Sequence, residues 1–222
     1  GGQSLAAFVT LLHPAFDLLG SAPERVIRLL TRAHNRVPVE RQIQAQPSIA
    51  VPILALLCGL EEENILTELC LNLLACALDT EREQEVHPAF VKVIEQLAPD
   101  EVLILGALRR QSRRYLYRSH LPALLANSLI LVAPEHYELY VDHLCALNIL
   151  RPERADFSLT LRDLPAPSSL EYDSTVRAIL QGLQERVERR TRTVETTRFG
   201  DLFIQVCLPH DLALKTESEE KP

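Results

Sequence analysis

Residues 61–79, EEENILTELCLNLLACALD, contain the pattern that decides the fold. The apolar residues that recur with the 3.6-residue period of an α-helix are Ile65, Leu66, Leu69, Leu73, Leu74 and Ala77. Glu61, Glu62 and Glu63 precede them, at the end where negative charge stabilises the helix dipole. We therefore predict a buried core helix that ends near Asp79.

The amino-acid composition extends this helical preference to the whole chain. Of its 222 residues 47% are hydrophobic, only seven are glycine, and leucine is commoner than valine and isoleucine together, a usage that favours helices over strands. The formal net charge is −7, so there is no global basic field to attract nucleic acid. These features predict a mostly α fold, exclude a disordered or collagen-like chain, and favour a protein partner over a polyanion.

Four further helices are predicted around this core helix, at residues 23–34, 49–57, 90–97 and 100–108. Pro23 lies near the start of the first and Pro52 near the start of the second, where proline costs little. The first helix has an apolar stripe and an opposite basic stripe, which we interpret as a solvent-facing surface: Arg25, Arg28, Arg32 and Arg36. We assign residues 20–97 to a helical bundle.

The order of elements after residue 98 predicts a winged-helix-like C-terminal module with a small β component. It comprises helices at Asp100–Leu108, Leu121–Val132 and Glu135–Leu150, a strand at Phe157–Leu161, and a turn of helix or closing strand at Thr197–Cys207. The third helix has no basic residue before Arg151, so we favour packing or protein contact over DNA readout.

The bundle is preceded by an apolar segment at 1–19, and the winged-helix-like module covers residues 98–210. Within this module we predict an insertion at about 160–195, which holds an amphipathic helix at 170–190. A disordered tail is predicted at 211–222. The apolar stretches Ile49–Leu60 and Leu121–Pro134 are shorter than the roughly 20 residues of a spanning helix. We therefore expect a cytoplasmic protein without a membrane segment, in which the apolar helices offer an interface to a protein partner or to a second copy of the chain.

Catalytic and metal-binding patterns are weak in this sequence. The cysteines Cys58, Cys70, Cys76, Cys145 and Cys207 lie among leucines and are expected to be reduced core thiols. There is no serine in a Gly-x-Ser-x-Gly nucleophile elbow and no glycine-rich phosphate loop. His136 and His143 are two helical turns apart, about 10 Å by the helical rise, too far to share one ion. We predict no enzyme activity, no cofactor, no metal and no small-molecule substrate.

One local basic patch offers an alternative function. Five arginines interleave with two tyrosines in the sequence Arg109, Arg110, Arg113, Arg114, Tyr115, Tyr117 and Arg118. Arginines can neutralise phosphates while aromatic rings stack on bases, and arginines at a helix end also suit the negative helix terminus. Nucleic-acid binding by this patch is the alternative to a protein-interaction role.

Several short motifs together resemble the abortive infection alpha (Abi-alpha) family of bacterial proteins. They are Val51-Pro52-Ile53-Leu54, Leu71-Asn72-Leu73-Leu74-Ala75, His87-Pro88-Ala89-Phe90, Leu97-Ala98-Pro99-Asp100-Glu101 and Thr197-Arg198-Phe199-Gly200 with Phe203. The resemblance covers residues 40–210 and implies a setting in phage defence, without a known biochemical activity. The motif residues to which we assign structural roles are Pro52, Leu74, His87, Pro88, Phe90, Pro99, Asp100, Thr197, Phe199, Gly200 and Phe203.

Overall fold

Helices make up most of the described chain, which comprises residues 23–110, 115–117, 131–152 and 193–209 of this computed structural model. In chain order its α-helices are α1 (Pro23–His34), α2 (Pro47–Gly59), α3 (Ile65–Ala77), α4 (Ala89–Gln96), α5 (Pro99–Arg110), α6 (Tyr137–Ala146) and α7 (Arg198–Cys207). Single 3₁₀ turns cover Val39–Arg41, Glu83–Glu85 and Pro134–His136. The prediction of a mostly α fold with a small β component is confirmed.

Helix α3 is the centre of the fold, as the apolar pattern of residues 61–79 predicts. It packs against α1, α2, α4, α5 and α7, and most of its side chains are buried. Asn64 caps the first turn by accepting a hydrogen bond of 2.9 Å from the Leu66 amide. The helix ends at Ala77, two residues before the predicted end. Neighbours on many sides explain why its sequence is apolar over so much of its circumference.

The other helices predicted before residue 110 are present with shifted ends. α5 runs to Arg110, beyond the predicted Leu108. α2 begins at Pro47 rather than Ile49, because proline suits the first helical position. Pro52 consequently lies inside α2 and not near its start, which corrects the prediction. At that position proline removes one backbone hydrogen bond of the helix.

The apolar side of α2 faces the core. Ile49, Ile53 and Leu57 are buried, whereas Val51 keeps 46% of its surface exposed. Much of the apolar surface of Ile49–Leu60 is therefore covered within the chain itself, whereas the other apolar stretch, Leu121–Pro134, lies mostly outside the described residues. Among the residues that the structure describes, no helix has both the length and the apolar character needed to cross a bilayer.

The basic stripe of α1 faces solvent at Arg28, Arg32 and Arg36, as predicted, and it also contacts neighbouring helices. The Arg25 guanidinium donates to three carbonyl oxygens at the C-terminal end of α2, at 2.5–3.1 Å. Arg32 and Arg36 both pair with Glu68 of α3, at 2.5 and 2.6 Å. The stripe thus ties α1 to the two helices beside it, and Arg25 satisfies carbonyls that a helix end leaves without intrahelical partners.

The β component is a three-stranded antiparallel sheet of order β1-β3-β2. Its strands are β1 (Tyr115–Tyr117), β2 (Leu150–Pro152) and β3 (Thr193–Thr196), and β3 is the central strand. Leu116 of β1 lies opposite Val194 of β3, and Arg151 of β2 lies opposite Glu195 of β3. The predicted strand at Phe157–Leu161 lies outside the described residues.

Helix α6 ends earlier than its sequence predicts. The apolar spacing continues to Leu150, but the helix stops at Ala146 and Leu150 begins β2. Asn148 has φ = 59°, and the amides of Asn148 and Ile149 bond back to the Cys145 and Leu144 carbonyls at 3.0 Å. This is the Schellman arrangement with asparagine at the left-handed position. The turn redirects the chain from helix to strand.

Helix α7 closes the described part of the chain. The alternative of a turn of helix or a closing strand at residues 197–207 resolves as a ten-residue helix, directly after β3. The Asn72 side chain of α3 donates to the Cys207 carbonyl at 3.0 Å, so α3 and α7 are joined by a polar contact as well as by packing.

Some predicted segments lie outside the described residues, namely 1–19, the helix at 170–190, the tail at 211–222 and most of the insertion at 160–195. Of the predicted helix at 121–132, only Leu131 and Val132 are described, and neither is helical. The boundary between bundle and module near residue 97 remains a prediction, although the contact of α7 with α3 crosses it.

Candidate functional site: the outer face of α6

The exposed side of α6 combines acidic residues with one large apolar side chain. Glu138, Leu139 and Asp142 are exposed on this helix, and Leu139 keeps 63% of its surface accessible. On the opposite side Tyr137, Val141 and Leu144 are buried in the core. We call the surface formed by Glu135, Glu138, Leu139 and Asp142 the α6 face. Leu139 is one of five large apolar residues that the described chain exposes. Because single exposed apolar side chains are common on folded proteins, it is a candidate contact residue only together with the carboxylates around it.

A second exposed apolar residue precedes the α6 face along the chain. Val132 has 87% of its surface exposed, and the 3₁₀ turn Pro134–His136 connects it to α6. No lysine or arginine occurs between residues 131 and 150. Arg151, the first basic residue after α6, donates to Glu195 at 2.9 Å across β2 and β3. The face is thus acidic, which opposes contact with a phosphate backbone.

The backbone that leads into α6 is held by a buried carboxylate. Asp100, in the first turn of α5, is 3% exposed and accepts hydrogen bonds of 2.9 Å from the amides of Val132 and Ala133. Each carboxylate oxygen takes one amide, and bonds to a charged acceptor are stronger than neutral ones. The side chain of Tyr140 on α6 also forms a hydrogen bond with Asp100. Burial is the main cause that raises the pKa of Tyr140, and this hydrogen bond is the next. Asp100 therefore fixes the approach to α6.

Glu101 anchors α6 from beneath. It is 1% exposed, and its Oε1 lies 2.7 Å from Nδ1 of His143 on α6. Its Oε2 accepts the Ala98 amide at 2.7 Å, the reciprocal contact of a helix capping box. Burial raises the pKa of Glu101, while the Ala98 amide and His143 act in the opposite direction. This pair places α6 rigidly on α5.

Four aromatic residues of the predicted family motifs form one cluster. The Phe90 ring lies 5.2 Å from that of Phe199 and 5.5 Å from that of Phe203, measured between ring centroids. His87 lies 6.1 Å from Phe90 and 6.3 Å from Phe199, and its Nδ1 accepts the Ala89 amide at 3.1 Å. Tilted and edge-on pairs of this kind are favourable. The cluster joins α4 to α7, far apart in sequence.

The Thr197 and Gly200 motif connects α7 to the end of α6. The Thr197 hydroxyl caps α7 by accepting the Gly200 amide at 2.9 Å, and it donates to the Asn148 carbonyl at 2.6 Å. A Cβ at Gly200 would lie 2.1 Å from the Ile149 carbonyl oxygen. Of the two reasons for a glycine here, small size and a positive φ, the structure supports small size.

The remaining motif residues sit at helix ends or in the core. Leu74 is buried in α3, Pro88 is the N-cap of α4, and Pro99 is the first residue of α5. Together with Pro52 inside α2, they hold backbone geometry or fill the core. None of these four side chains carries a group for acid–base or nucleophilic chemistry.

The arginine patch is described only in part. Arg109 donates to the carbonyls of Leu208 and Pro209 after α7, both at 3.1 Å, a cation placed at a helix C-terminus. Arg110 is exposed at the end of α5. Tyr115 and Tyr117 lie in β1, and Arg113, Arg114 and Arg118 are outside the described residues. The nucleic-acid role of this patch stays a prediction.

The buried thiols are poorly suited to nucleophilic chemistry. Burial raises the pKa of Cys70 to about 12 and that of Cys76 to about 11, and it raises the pKa of Cys207 well above its usual range. None of the five cysteines, all of which lie in the described residues, forms a disulfide bond. Across the described ranges, no three His, Cys, Asp or Glu side chains are grouped so as to hold a metal ion.

Sequence reasoning missed the contacts that position α6. It identified Asp100 only as a helix start, whereas the carboxylate binds amides 32 and 33 residues away. Glu101 stands three residues after Ala98, the spacing of a capping box, but alanine replaces the serine or threonine of that motif, so the sequence carries only half of the signal. Its partner His143 is 42 residues further on, and no local pattern indicates that pair.

Comparison with known proteins identifies the family. The family model described as abortive infection alpha matches residues 23–207, the range from the start of α1 to the end of α7. No curated protein and no solved structure matches this chain. The resemblance based on the sequence motifs is confirmed. The chain belongs to the abortive infection alpha family, whose name implies a role in phage defence.

Proposed function

We propose that this chain is a non-enzymatic protein-interaction module of a bacterial phage-defence protein and that the α6 face contacts the partner. The exposed Leu139, surrounded by carboxylates on a firmly anchored helix, is the observation that supports this proposal. Apolar side chains at the centre of a polar rim are typical of protein interfaces. The complementary partner is a protein surface that presents basic and apolar side chains.

The order of elements around the sheet supports a winged-helix-like scaffold for this module. Among the described elements, α5, β1, α6, β2 and β3 occur in this order along the chain, and β3 lies between β1 and β2 in the sheet. In such a module α6 takes the position of the helix that reads DNA. Acidic residues at that position favour protein contact, because phosphate contacts need cations.

Nucleic-acid binding by residues 109–118 is the second candidate. The exposed Arg110 at the end of α5 favours it, whereas Arg109 already binds the carbonyls after α7. This candidate predicts binding that falls steeply with salt. The α6-face proposal predicts a protein partner instead.

Photo-crosslinking at the α6 face tests the proposal. A photoreactive amino acid replaces Leu139 in the full-length protein, in cells before and after phage infection. Val39, an apolar residue with 71% of its surface exposed on another element, is the matched control position. We expect a discrete crosslinked protein from position 139 that is absent from position 39. Equal or absent crosslinking at the two positions would contradict the proposal.

A further inference from the structure

The outer side of α2 is apolar and open to solvent. The helix contains no charged residue in its sequence, PSIAVPILALLCG. The core covers one side of it, whereas the other side exposes four residues at three- and four-residue spacing, namely Ser48, Val51, Ala55 and Gly59. We call Val51, Ala55 and Gly59 the α2 face. A helix that is apolar around its whole circumference is normally buried on all sides, so the α2 face has the composition of a covered surface and the exposure of an open one.

The start of α1 lies beside one end of the α2 face. The Arg25 guanidinium, in the first turn of α1, donates to the carbonyl oxygens of Cys58 and Leu60. Gly59 stands between these two acceptors in sequence, and a Cβ built there meets no described atom within 4 Å. The chain that leads into α1 therefore arrives at the open end of the α2 face.

The sequence before α1 is itself apolar. Residues 5–19, LAAFVTLLHPAFDLL, contain five leucines, two phenylalanines and one valine, with Asp17 as the single charged residue. Burial of such side chains away from water is favourable. Three residues separate this segment from α1, and a connection of that length spans at most about 14 Å. So short a tether gives the segment a local concentration of about 1 mM at the surfaces within its reach.

The length of this segment matches that of the α2 face. From Ser48 to Gly59 the helix rises about 16 Å. Fifteen residues measure about 22 Å as a helix and about 50 Å when extended, so residues 5–19 are long enough in either conformation. Ala55 and Gly59 carry little or no side chain, which lets a covering chain approach the helix closely.

We propose that residues 5–19 dock on the α2 face of the same chain, with Val51 and Ala55 at the centre of the contact. The length of chain before α1, its apolar sequence and its point of attachment beside Gly59 together favour this occupant over a second copy. The family model begins at residue 23, so the contact lies beyond what the family assignment covers. The proposal is also independent of the partner of the α6 face.

Maleimide labelling of the full chain tests this contact. Ala55→Cys places a thiol on the α2 face, and Val39→Cys is the matched control, because Val39 is an exposed apolar residue on a 3₁₀ turn. Mass spectrometry separates each introduced thiol from the native cysteines. We expect the Ala55→Cys thiol to react at least about tenfold more slowly than the Val39→Cys thiol, since a covered position reacts only while the segment is undocked. Equal rates would overturn the proposal.

Substitutions in the segment and dilution identify the occupant. Leu12→Glu combined with Phe16→Glu should speed labelling of the Ala55→Cys thiol at least about tenfold, because burying a charge against an apolar face is costly, and should leave the Val39→Cys rate unchanged. Labelling of Cys70, which is fully buried in α3, is the reference for folding in every sample. An unchanged Ala55→Cys rate would contradict the proposal. So would faster labelling on dilution, which would identify a second copy of the chain as the cover.

Discussion

Replacing Gly200 with alanine tests the close contact between α7 and the chain after α6. The added Cβ would lie 2.1 Å from the carbonyl oxygen of Ile149 and 2.9 Å from its carbonyl carbon. Both are backbone atoms, which cannot swing away as the end of a side chain does. The same oxygen also accepts the Thr197 amide at 2.9 Å. α7 therefore has to move, and this hydrogen bond is strained or lost.

The expected loss of stability combines three effects. Overpacking costs about 1–3 kcal/mol, and loss of the hydrogen bond costs about 1 kcal/mol. The better helix propensity of alanine offsets up to about 1 kcal/mol of this sum. We expect the free energy of unfolding of Gly200→Ala to be lower than that of the wild type by about 1–4 kcal/mol.

Urea denaturation followed by far-ultraviolet circular dichroism measures this difference. Gly59→Ala is the control, because a Cβ at the end of α2 meets nothing within 4 Å. Its free energy of unfolding should stay within about 1 kcal/mol of the wild type. If Gly200→Ala is as stable as Gly59→Ala, close packing against Ile149 does not explain this glycine.

Three further predictions concern the polar contacts. Asp100→Asn should lower the free energy of unfolding by about 1.5–3 kcal/mol, because the amide nitrogen of asparagine cannot accept a hydrogen bond from the second backbone amide. The control is Glu138→Gln on the surface, which should change the free energy of unfolding by less than about 0.5 kcal/mol in the same urea titration. Arg25→Met should lower it by about 1.5–3 kcal/mol by releasing the carbonyls at the end of α2, and an unchanged urea midpoint would refute that contact. The raised pKa of Glu101 favours its protonated form in the folded state. Wild-type stability relative to Glu101→Gln should therefore rise as pH falls through the folded-state pKa towards 4.5, and urea titrations that give the opposite slope would contradict this.

Local signals explain what the sequence predicts correctly. The 3.6-residue apolar pattern and the acidic residues before α3 identify that helix, and Asn64 caps it as a residue of its type should. Prolines mark the starts of α1 and α5 in the same way. These features depend on neighbouring residues alone, so they can be recognised without knowledge of the tertiary structure.

The end of α6 shows how a local signal can be overridden. Leu147 and Leu150 continue the apolar spacing of the helix, which led to a predicted end at Leu150. Asn148 adopts a positive φ and turns the chain into β2. Asparagine is the commonest alternative to glycine at this helix terminus, but it carries no stop signal strong enough to outweigh two leucines at helical spacing.

Long-range pairs account for the part of the candidate site that sequence could not predict. Asp100 meets the backbone before α6, and Glu101 meets His143, only because α5 and α6 pack together. The basic stripe of α1 was predicted to face solvent, and its ion pairs were missed because their partner Glu68 lies on a different helix. Such contacts depend on the relative placement of helices, which no single-helix pattern contains.

Protection of bacteria against phage is the measurement that tests the central claim most directly. The claim is that the α6 face, through Leu139, carries the interaction on which the function depends. Cells expressing Leu139→Arg should lose protection, while cells expressing Val39→Arg, with equal protein levels and unchanged thermal stability, should keep it. Full protection by Leu139→Arg, or equal loss in both variants, would contradict the account.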